Sequence, residues 1–367
     1  MKYYIIAGEP SGDLHGANLI KGLKAVDSQI LVRGWGGDRM AAEGADIVKH
    51  YRHLAFMGFA EVAANIRTIL SNLSFCKKDI LEYKPDVVIL IDYPGFNLQV
   101  AKFLHKNNIR VVYYISPQVW AWKKNRVHTI RKVVDKLIVI LPFEKEFFKQ
   151  FQVDAVFVGH PLLDELPPPV AAKAFAPDER PVIAMLPGSR RQEIKRVLPV
   201  MLSVMQDFPE ADFCIAGVPS IGDGFYRKFT GDRHVKVVMN QTYQLLGNAR
   251  AAMVTSGTAT LETALLGVPE VVCYKGGALS YAIARKLVKV KYISLVNLIM
   301  DRPVVKELIQ TDLNRYNLRG EVSNLLNNAK YRTDMFSAYS ELREKLGGRG
   351  ASARAAQTIY NLLTLPS

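Results

Sequence analysis

One unit recurs along this chain and limits its possible folds more than any other feature: a short apolar run, a small polar turn, then a helical pattern. Its clearest copy spans residues 251–274. Ala251 to Val254 read as a buried parallel strand, Ser256 and Gly257 make the turn, and a helix from about Thr258 closes at Gly267 ahead of Pro269. The next strand is Glu270-Val271-Val272-Cys273-Tyr274. Further strand-like runs lie at residues 2–7, 30–32, 86–91, 109–115, 137–141 and 155–158, with helical patterns between them. After the turn-rich Gly159-His160-Pro161 and Leu166-Pro167-Pro168-Pro169, the alternation restarts at 182–186, 212–216 and 235–239. The sequence therefore predicts an α/β protein of two Rossmann-like doubly wound domains, residues 1–165 and 181–346, joined by a Pro-rich linker at 166–180. At 367 residues with 49% hydrophobic content, the chain exceeds the usual size of one core. Gly347-Gly348 sets off a last segment, 347–367, whose helix at 351–363 is expected to return to the first domain or to pack on a partner chain.

Several function classes drop out on composition and spacing. The apolar run at the N-terminus is too short for a signal peptide, and no stretch approaches a membrane-spanning length, so a cytoplasmic protein is expected. Cys76, Cys214 and Cys273 are far apart and have no metal-ligand spacing, and the histidines form no H-E-x-x-H set. Metal-independent chemistry is expected, with no cofactor. Neither a G-x-S-x-G elbow nor a phosphate-binding G-x-x-x-x-G-K-[ST] loop is present. The formal charge of +14, from 48 Lys and Arg against 34 Asp and Glu, favours an anionic partner. Nucleic acid is not that partner on this reading, because no nucleic-acid module signature or interleaved stacking aromatic accompanies the basic residues. Anionic lipid and phosphorylated substrates fit the charge equally well.

Candidate chemistry sits at strand ends. In the second domain, the turn Ser256-Gly257-Thr258 and a helix N-terminus offer backbone N–H groups and a positive dipole end to a phosphate. Thr260 follows, and Glu262, one turn into the helix, can accept two hydrogen bonds from a ribose diol. Equally, Ser256 and Thr258 can simply cap a core helix. Leu186-Pro187-Gly188-Ser189-Arg190 ends another strand of the same domain, where Gly188 allows close backbone approach and Arg190 offers a planar fork to phosphate oxygens. Two such features on one edge point to a nucleotide.

In the first domain, Asp92 ends the strand 86–91. There it either caps the next helix or, partly desolvated by Ile91 and Phe96, acts as a general base. The loop Gly8-Glu9-Pro10-Ser11-Gly12-Asp13 follows the first strand and reads either as a structural turn or as a ligand loop; Ser11 or Asp13 would cap the helix. Finally, Leu54-Ala55-Phe56-Met57-Gly58-Phe59 leads into a helix carrying Val62, Ile66, Ile69, Leu70 and Leu73 on one face, with Lys77-Lys78 beyond. That face either packs on its own sheet or lies on a membrane surface or acyl chain.

Taken in order, Gly8-Glu9-Pro10-Ser11-Gly12-Asp13, Ser116-Pro117-Gln118-Val119-Trp120-Ala121-Trp122, Leu186-Pro187-Gly188-Ser189-Arg190 and Ser256 through Glu262 resemble the lipid-A-disaccharide synthase family. The likeness continues through Leu141-Pro142-Phe143-Glu144, Gly159-His160-Pro161 and Val305-Lys306-Glu307-Leu308-Ile309-Gln310, and so covers nearly the whole chain. The resemblance implies a GT-B inverting glycosyltransferase with two domains facing a central cleft. It would join UDP-2,3-diacylglucosamine to 2,3-diacylglucosamine 1-phosphate through a β-1,6 linkage and release UDP. By that resemblance Asp92 is the base, Gly188, Ser189, Arg190 and the 256–258 turn hold the diphosphate, Glu262 holds the ribose, and Asn297 approaches the phosphates. The family also implies work at the inner face of the cytoplasmic membrane and a possible homodimer through the last helix. Gln118 departs from a serine common in the family motif, and three successive prolines mark the linker. The other readings are a UDP-N-acetylglucosamine 2-epimerase, which shares this architecture, and a non-enzymatic basic protein binding membrane or nucleic acid.

Overall fold

The computed structural model describes residues 1–54, 66–121, 124–167, 180–231, 233–277 and 291–365. The chain divides into two compact units: Met1–Asp164 together with the segment from Leu346 onward, and Glu165–Lys345. Unit 1 contains β1 (Lys2–Ala7), β2 (Leu31–Gly36), β3 (Asp46–His50), β4 (Val87–Ile91), β5 (Val111–Tyr114), β6 (Lys136–Val139) and β7 (Ala155–Phe157), in the sheet order β3-β2-β1-β4-β5-β6-β7. Unit 2 contains β8 (Val182–Leu186), β9 (Asp212–Gly217), β10 (Lys236–Met239), β11 (Ala251–Thr255), β12 (Glu270–Tyr274) and β13 (Lys306–Ile309), ordered β10-β9-β8-β11-β12-β13. All described pairings are parallel. Both units are therefore doubly wound.

The apolar runs are continuous because both sheet faces are covered. In unit 1, Tyr3, Ile5, Ile89 and Tyr114 face one core with Leu19, Leu23, Ala356 and Ile359 of the first and last helices. Tyr4, Ile6, Leu90 and Tyr113 face the other, with Val100, Leu104, Ile130 and Phe148. The last helix, Ala351–Thr364, lies on helix Pro10–Val26 of its own chain. Asp164 caps its start, accepting from Gly350 N at 2.6 Å and Ser352 N at 3.0 Å. Its apolar face, Ala355, Ala356 and Ile359, is buried inside unit 1. A dimer built on that face requires exchange of the helix between chains.

Two strands, β3 and β13, escape a reading by apolar runs. Both are edges, and their half-buried sequences, Asp46-Ile47-Val48-Lys49-His50 and Lys306-Glu307-Leu308-Ile309, carry charges that a central strand cannot. The single apolar face expected for helix Ile66–Tyr83 also divides. Asn72, Cys76, Asp79 and Ile80 are its buried residues, and Leu73 packs partly against the same core. The inward polar positions have a cause: Asp79 accepts from the Tyr4 hydroxyl at 2.6 Å and from Arg33. Ile66 and Leu70 are left 49% and 57% exposed. Phe56, Met57, Phe59 and Val62, like most of the expected linker, lie outside the described residues.

Glu270 opens β12 wholly buried, and neither carboxylate oxygen has a hydrogen-bond partner among the described residues. Burial holds its carboxyl well above the usual range. Below the unfolded carboxyl value of about 4.3, folded and unfolded chains both carry the proton. As pH rises above it the unfolded chain loses a proton that the folded chain keeps, so stability falls, by at most about 1.4 kcal/mol per pH unit. Glu270→Gln is expected to abolish this slope. Hydrogen exchange of the β11 and β12 amides between pH 5 and 8, corrected for intrinsic rates, measures it.

Candidate active site

In an open parallel sheet, ligands settle outside the carboxyl ends of the strands where the strand order reverses. In unit 1 that point lies between β1 and β4. Gly8 and Glu9 leave β1 there, and Asp92 and Tyr93 leave β4. Asp92 and Tyr93 adopt φ of 44° and 48°, two successive left-handed non-glycine residues, a conformation costing roughly 1–3 kcal/mol each. Surrounding contacts fix it. The Asp92 carbonyl accepts from Asn97 Nδ2 at 2.8 Å and from the Tyr113 hydroxyl at 2.7 Å. Gly8 lets the Tyr93 ring close over the first turn, since a Cβ there would stand 2.5 Å from the ring. The Asp92 carboxyl is pushed up to about 6, first by burial and then by the neighbouring Glu9 carboxylate. Such a group is ionised at neutral pH yet basic enough to take a proton.

The rest of the Gly8–Asp13 loop divides in role. Ser11 is exposed, and Gly12 is buried against Ala7 and Ile91. The Asp13 carboxylate is only 2% exposed and accepts from Gly37 N at 2.7 Å, Arg39 N at 3.1 Å and Met40 N at 3.1 Å. It caps helix Asp38–Ala42, and those bonds engage both of its carboxylate oxygens.

In unit 2 the order reverses between β8 and β11. Gly188, Ser189 and Arg190 leave β8, Ser256, Gly257 and Thr258 leave β11, and together with Glu262 they line one cavity of about 320 Å³. Gly188 has φ +107°, and a Cβ there would approach Glu193 Oε2 to 2.8 Å, so the turn needs glycine. Helices Arg191–Ser203 and Thr258–Leu265 both start at this cavity without a side-chain cap. Two helix N-termini at one cavity suit an anion. Arg190 pairs with Glu193 at 3.3 Å on an exposed edge, a contact worth little enough that a diphosphate can replace it. Burial raises the Glu262 carboxyl, opposed by a hydrogen bond from Tyr243.

Two expected donor residues have protein partners for their side chains. Asn297 is buried and its amide fully engaged: Nδ2 donates to Val305 O and Glu307 Oε1, each at 2.9 Å, and Oδ1 accepts from Val304 N at 2.8 Å and Val305 N at 2.9 Å. It ties helix Leu295–Met300 to β13. Thr260 is wholly buried and its hydroxyl returns to Gly257 O at 2.9 Å. The Ser256 hydroxyl donates to Ile293 O at 2.9 Å, which leaves its lone pairs for a ligand, while the Ser256 N–H is committed to Cys273 O at 3.2 Å. Sequence reasoning missed Thr255, whose buried hydroxyl has no hydrogen-bond partner among the described residues and which lines the cavity, and also Val218 and Thr242 from other strand ends. It also missed Tyr113 and Asn97 as the anchors of Asp92. An Asn five residues beyond a strand-end Asp, in the first turn of the next helix, was the available signal.

Two doubly wound domains, with an anion-suited cavity at the reversal point of the second, define the GT-B class of nucleotide-sugar enzymes. The fold matches that of UDP-GlcNAc 2-epimerase from Neisseria meningitidis bound to UDP-GlcNAc, with TM-score 0.66 at 14% identity over 98% of this chain and 100% of that one. It also matches the calicheamicin glycosyltransferase CalG4, with TM-score 0.59 at 16% identity over 100% and 98%. In sequence, the chain is 41% identical to a lipid-A-disaccharide synthase of Syntrophus aciditrophicus over 98% of this chain and 97% of the relative. It is 37% identical to one of Coxiella burnetii over 98% of each. The Lipid-A-disaccharide synthetase family profile matches residues 3–359. The chain belongs to the lipid-A-disaccharide synthase family, glycosyltransferases of lipid A biosynthesis.

Gly8→Ala is expected to force Tyr93 and the Asp92 turn aside. It should destabilise unit 1 by about 1–3 kcal/mol and depress turnover far more than donor binding. Denaturant unfolding and initial rates on the same preparation check both.

Proposed function

We propose that the chain transfers 2,3-diacylglucosamine from UDP to the 6-hydroxyl of 2,3-diacylglucosamine 1-phosphate, forming a β-1,6 bond and releasing UDP. The observation that carries this reading is the pair of reversal-point sites: a desolvated carboxylate in unit 1 and an anion-suited cavity in unit 2. Asp92 takes the proton from the acceptor hydroxyl as its oxygen attacks the anomeric carbon. The carbon–oxygen bond to the diphosphate breaks on the opposite face, and one displacement inverts the configuration. Arg190, the 188–189 turn and the N-terminus of helix Thr258–Leu265 take up the charge that develops on departing UDP. Glu262 accepts from the ribose hydroxyls. Glu9 raises the basicity of Asp92 by like-charge repulsion.

Both substrates carry acyl chains, which gives the exposed apolar stripe of helix Ile66–Tyr83 a use. Ile66, Leu70 and Leu81 are 49%, 57% and 44% exposed at positions that share one side, with Lys77 and Lys78 nearby. No helix among the described residues is long and apolar enough to cross a membrane. We infer peripheral attachment to the anionic inner leaflet through this stripe. Self-association through the last helix requires helix exchange, since its apolar face is already buried.

Asp92→Asn should lower kcat by about 10²–10⁴ with little change in UDP affinity; normal turnover at saturating acceptor would remove the assignment. The rate should rise with pH through about 6, as Asp92 ionises, and then level off. Glu9→Gln takes away the repulsion that raises Asp92, so the rising limb should move to lower pH. Glu262→Gln should weaken UDP binding in calorimetry by roughly tenfold, the loss of one charge-assisted bond. Ile66→Glu with Leu70→Glu should abolish flotation with anionic vesicles while circular dichroism stays unchanged.

A further inference from the structure

Two sequence motifs, Ser116 through Ala121 and Leu141-Pro142-Phe143-Glu144, have no part in the reaction as drawn so far. The structure joins them through one carboxylate. Glu144 is 1% exposed and accepts four hydrogen bonds: Oε1 from Ser116 Oγ at 2.8 Å and Trp120 Nε1 at 3.2 Å, Oε2 from Ile140 N at 3.3 Å and Leu141 N at 3.0 Å. The Trp120 ring also stands edge-on to Phe143, centroids 5.0 Å apart. Loop and helix start are thus clamped as one body.

Capping helix Pro142–Lys149 does not account for this arrangement. Oε2 alone serves the two backbone N–H groups at the helix start, and a neutral oxygen would suffice for them. The other oxygen is committed to the loop. Burying a carboxylate is costly, and burial pushes Glu144 up to about 7 despite its four donors. The loop it holds leaves β5 directly beside Asp92. Asp92 N donates to Tyr114 O at 3.3 Å, and the Tyr113 hydroxyl anchors the Asp92 carbonyl. Between Tyr114 and the loop, Ile115 has φ of 62°, an outlier for a β-branched residue and a sign that the chain is bent there by its surroundings.

We propose that Glu144 is a positioning residue for the acceptor half of the reaction: by binding Ser116 and Trp120 it fixes the 116–121 loop on the strand edge that carries Asp92, where the loop borders the acceptor. This rests on the reading of Asp92 as the base that receives the acceptor. Ser116 and Trp120 each act through the same carboxylate, so their effects should not add.

Ser116→Ala and Trp120→Phe each delete one donor and leave the helix cap intact; Glu144→Gln keeps the size but cannot accept from both sides. Initial rates with each substrate varied, UDP calorimetry and melting curves are measured for all three variants and for Ser116→Ala with Trp120→Phe. Each single variant should raise the acceptor KM about tenfold, as expected for loss of a hydrogen bond to a charged group, with donor KM and UDP affinity unchanged. The double variant should resemble Glu144→Gln and fall short of the product of the singles. Lowered melting temperatures with unchanged acceptor KM would make the clasp purely structural and overturn the proposal, as would a shift confined to donor KM. Asp92→Asn, assayed alongside, separates the two levels: if it is fully active the underlying reading fails, and if it is inactive while the clasp variants are neutral only the positioning role fails.

Discussion

A parallel strand buried on both faces has its backbone and side chains fully committed along its length, so polar chemistry is confined to its ends. At most carboxyl ends the chain simply turns into a covering helix. Where the strand order reverses, two successive crossovers go to opposite faces and leave a crevice that no helix fills. Each unit has one such place, β1/β4 and β8/β11, and the Asp92 turn and the Gly188–Ser256 cavity occupy them. The rest of the site follows from this constraint. Gly8 must be small because Tyr93 crosses the crevice, and Gly188 must have positive φ because β8 has to turn sharply there while staying clear of Glu193.

The two crevices are built for opposite charge. In unit 1, burial and Glu9 act together to raise Asp92, making an environment that favours taking up a proton. In unit 2, helix N-termini and Arg190 make one that favours an anion. A group transfer that releases a diphosphate while removing a proton from a hydroxyl needs both environments. Dividing them between separate sheets lets each unit fold around its own electrostatic demand.

Much of this was legible from residue pattern. The central strands show as apolar runs, and the reversal-point turns show as Gly-Ser-Arg, Ser-Gly-Thr and a strand-end Asp. Two of the four edge strands were not legible, since β3 and β13 mix charge with apolar residues, whereas the edges β7 and β10 show as short apolar runs. Side-chain function at a distance was not legible either. Asp13 reads as a capping or ligand-loop residue because it is polar and close to a turn, and Asn297 enters only through the family resemblance. Their partners, Gly37, Arg39 and Met40 for Asp13 and Val304 with Val305 for Asn297, are fixed only by folding, and local sequence carries no trace of that pairing.

The pairing of such side chains with backbone recurs across the fold. Several loops at the strand ends are held by polar side chains that accept from backbone N–H groups: Asp13 for helix Asp38–Ala42, Glu144 for Pro142–Lys149, Asp164 for the last helix, and Glu307 for Ile293 N at 3.0 Å and Ser294 N at 2.9 Å. A helix start satisfied in this way has lost its attraction for an anion. The four helices that begin at the two reversal points, at Pro10, Pro94, Arg191 and Thr258, have no side-chain cap. Those at Pro10 and Pro94 carry proline in the first turn, which deletes an N–H group where Glu9 and Asp92 stand. Those at Arg191 and Thr258 have no proline in the first turn and keep their donors. Uncapped helix starts at a strand reversal thus keep more backbone donors in the second unit than in the first, and where proline falls makes the difference.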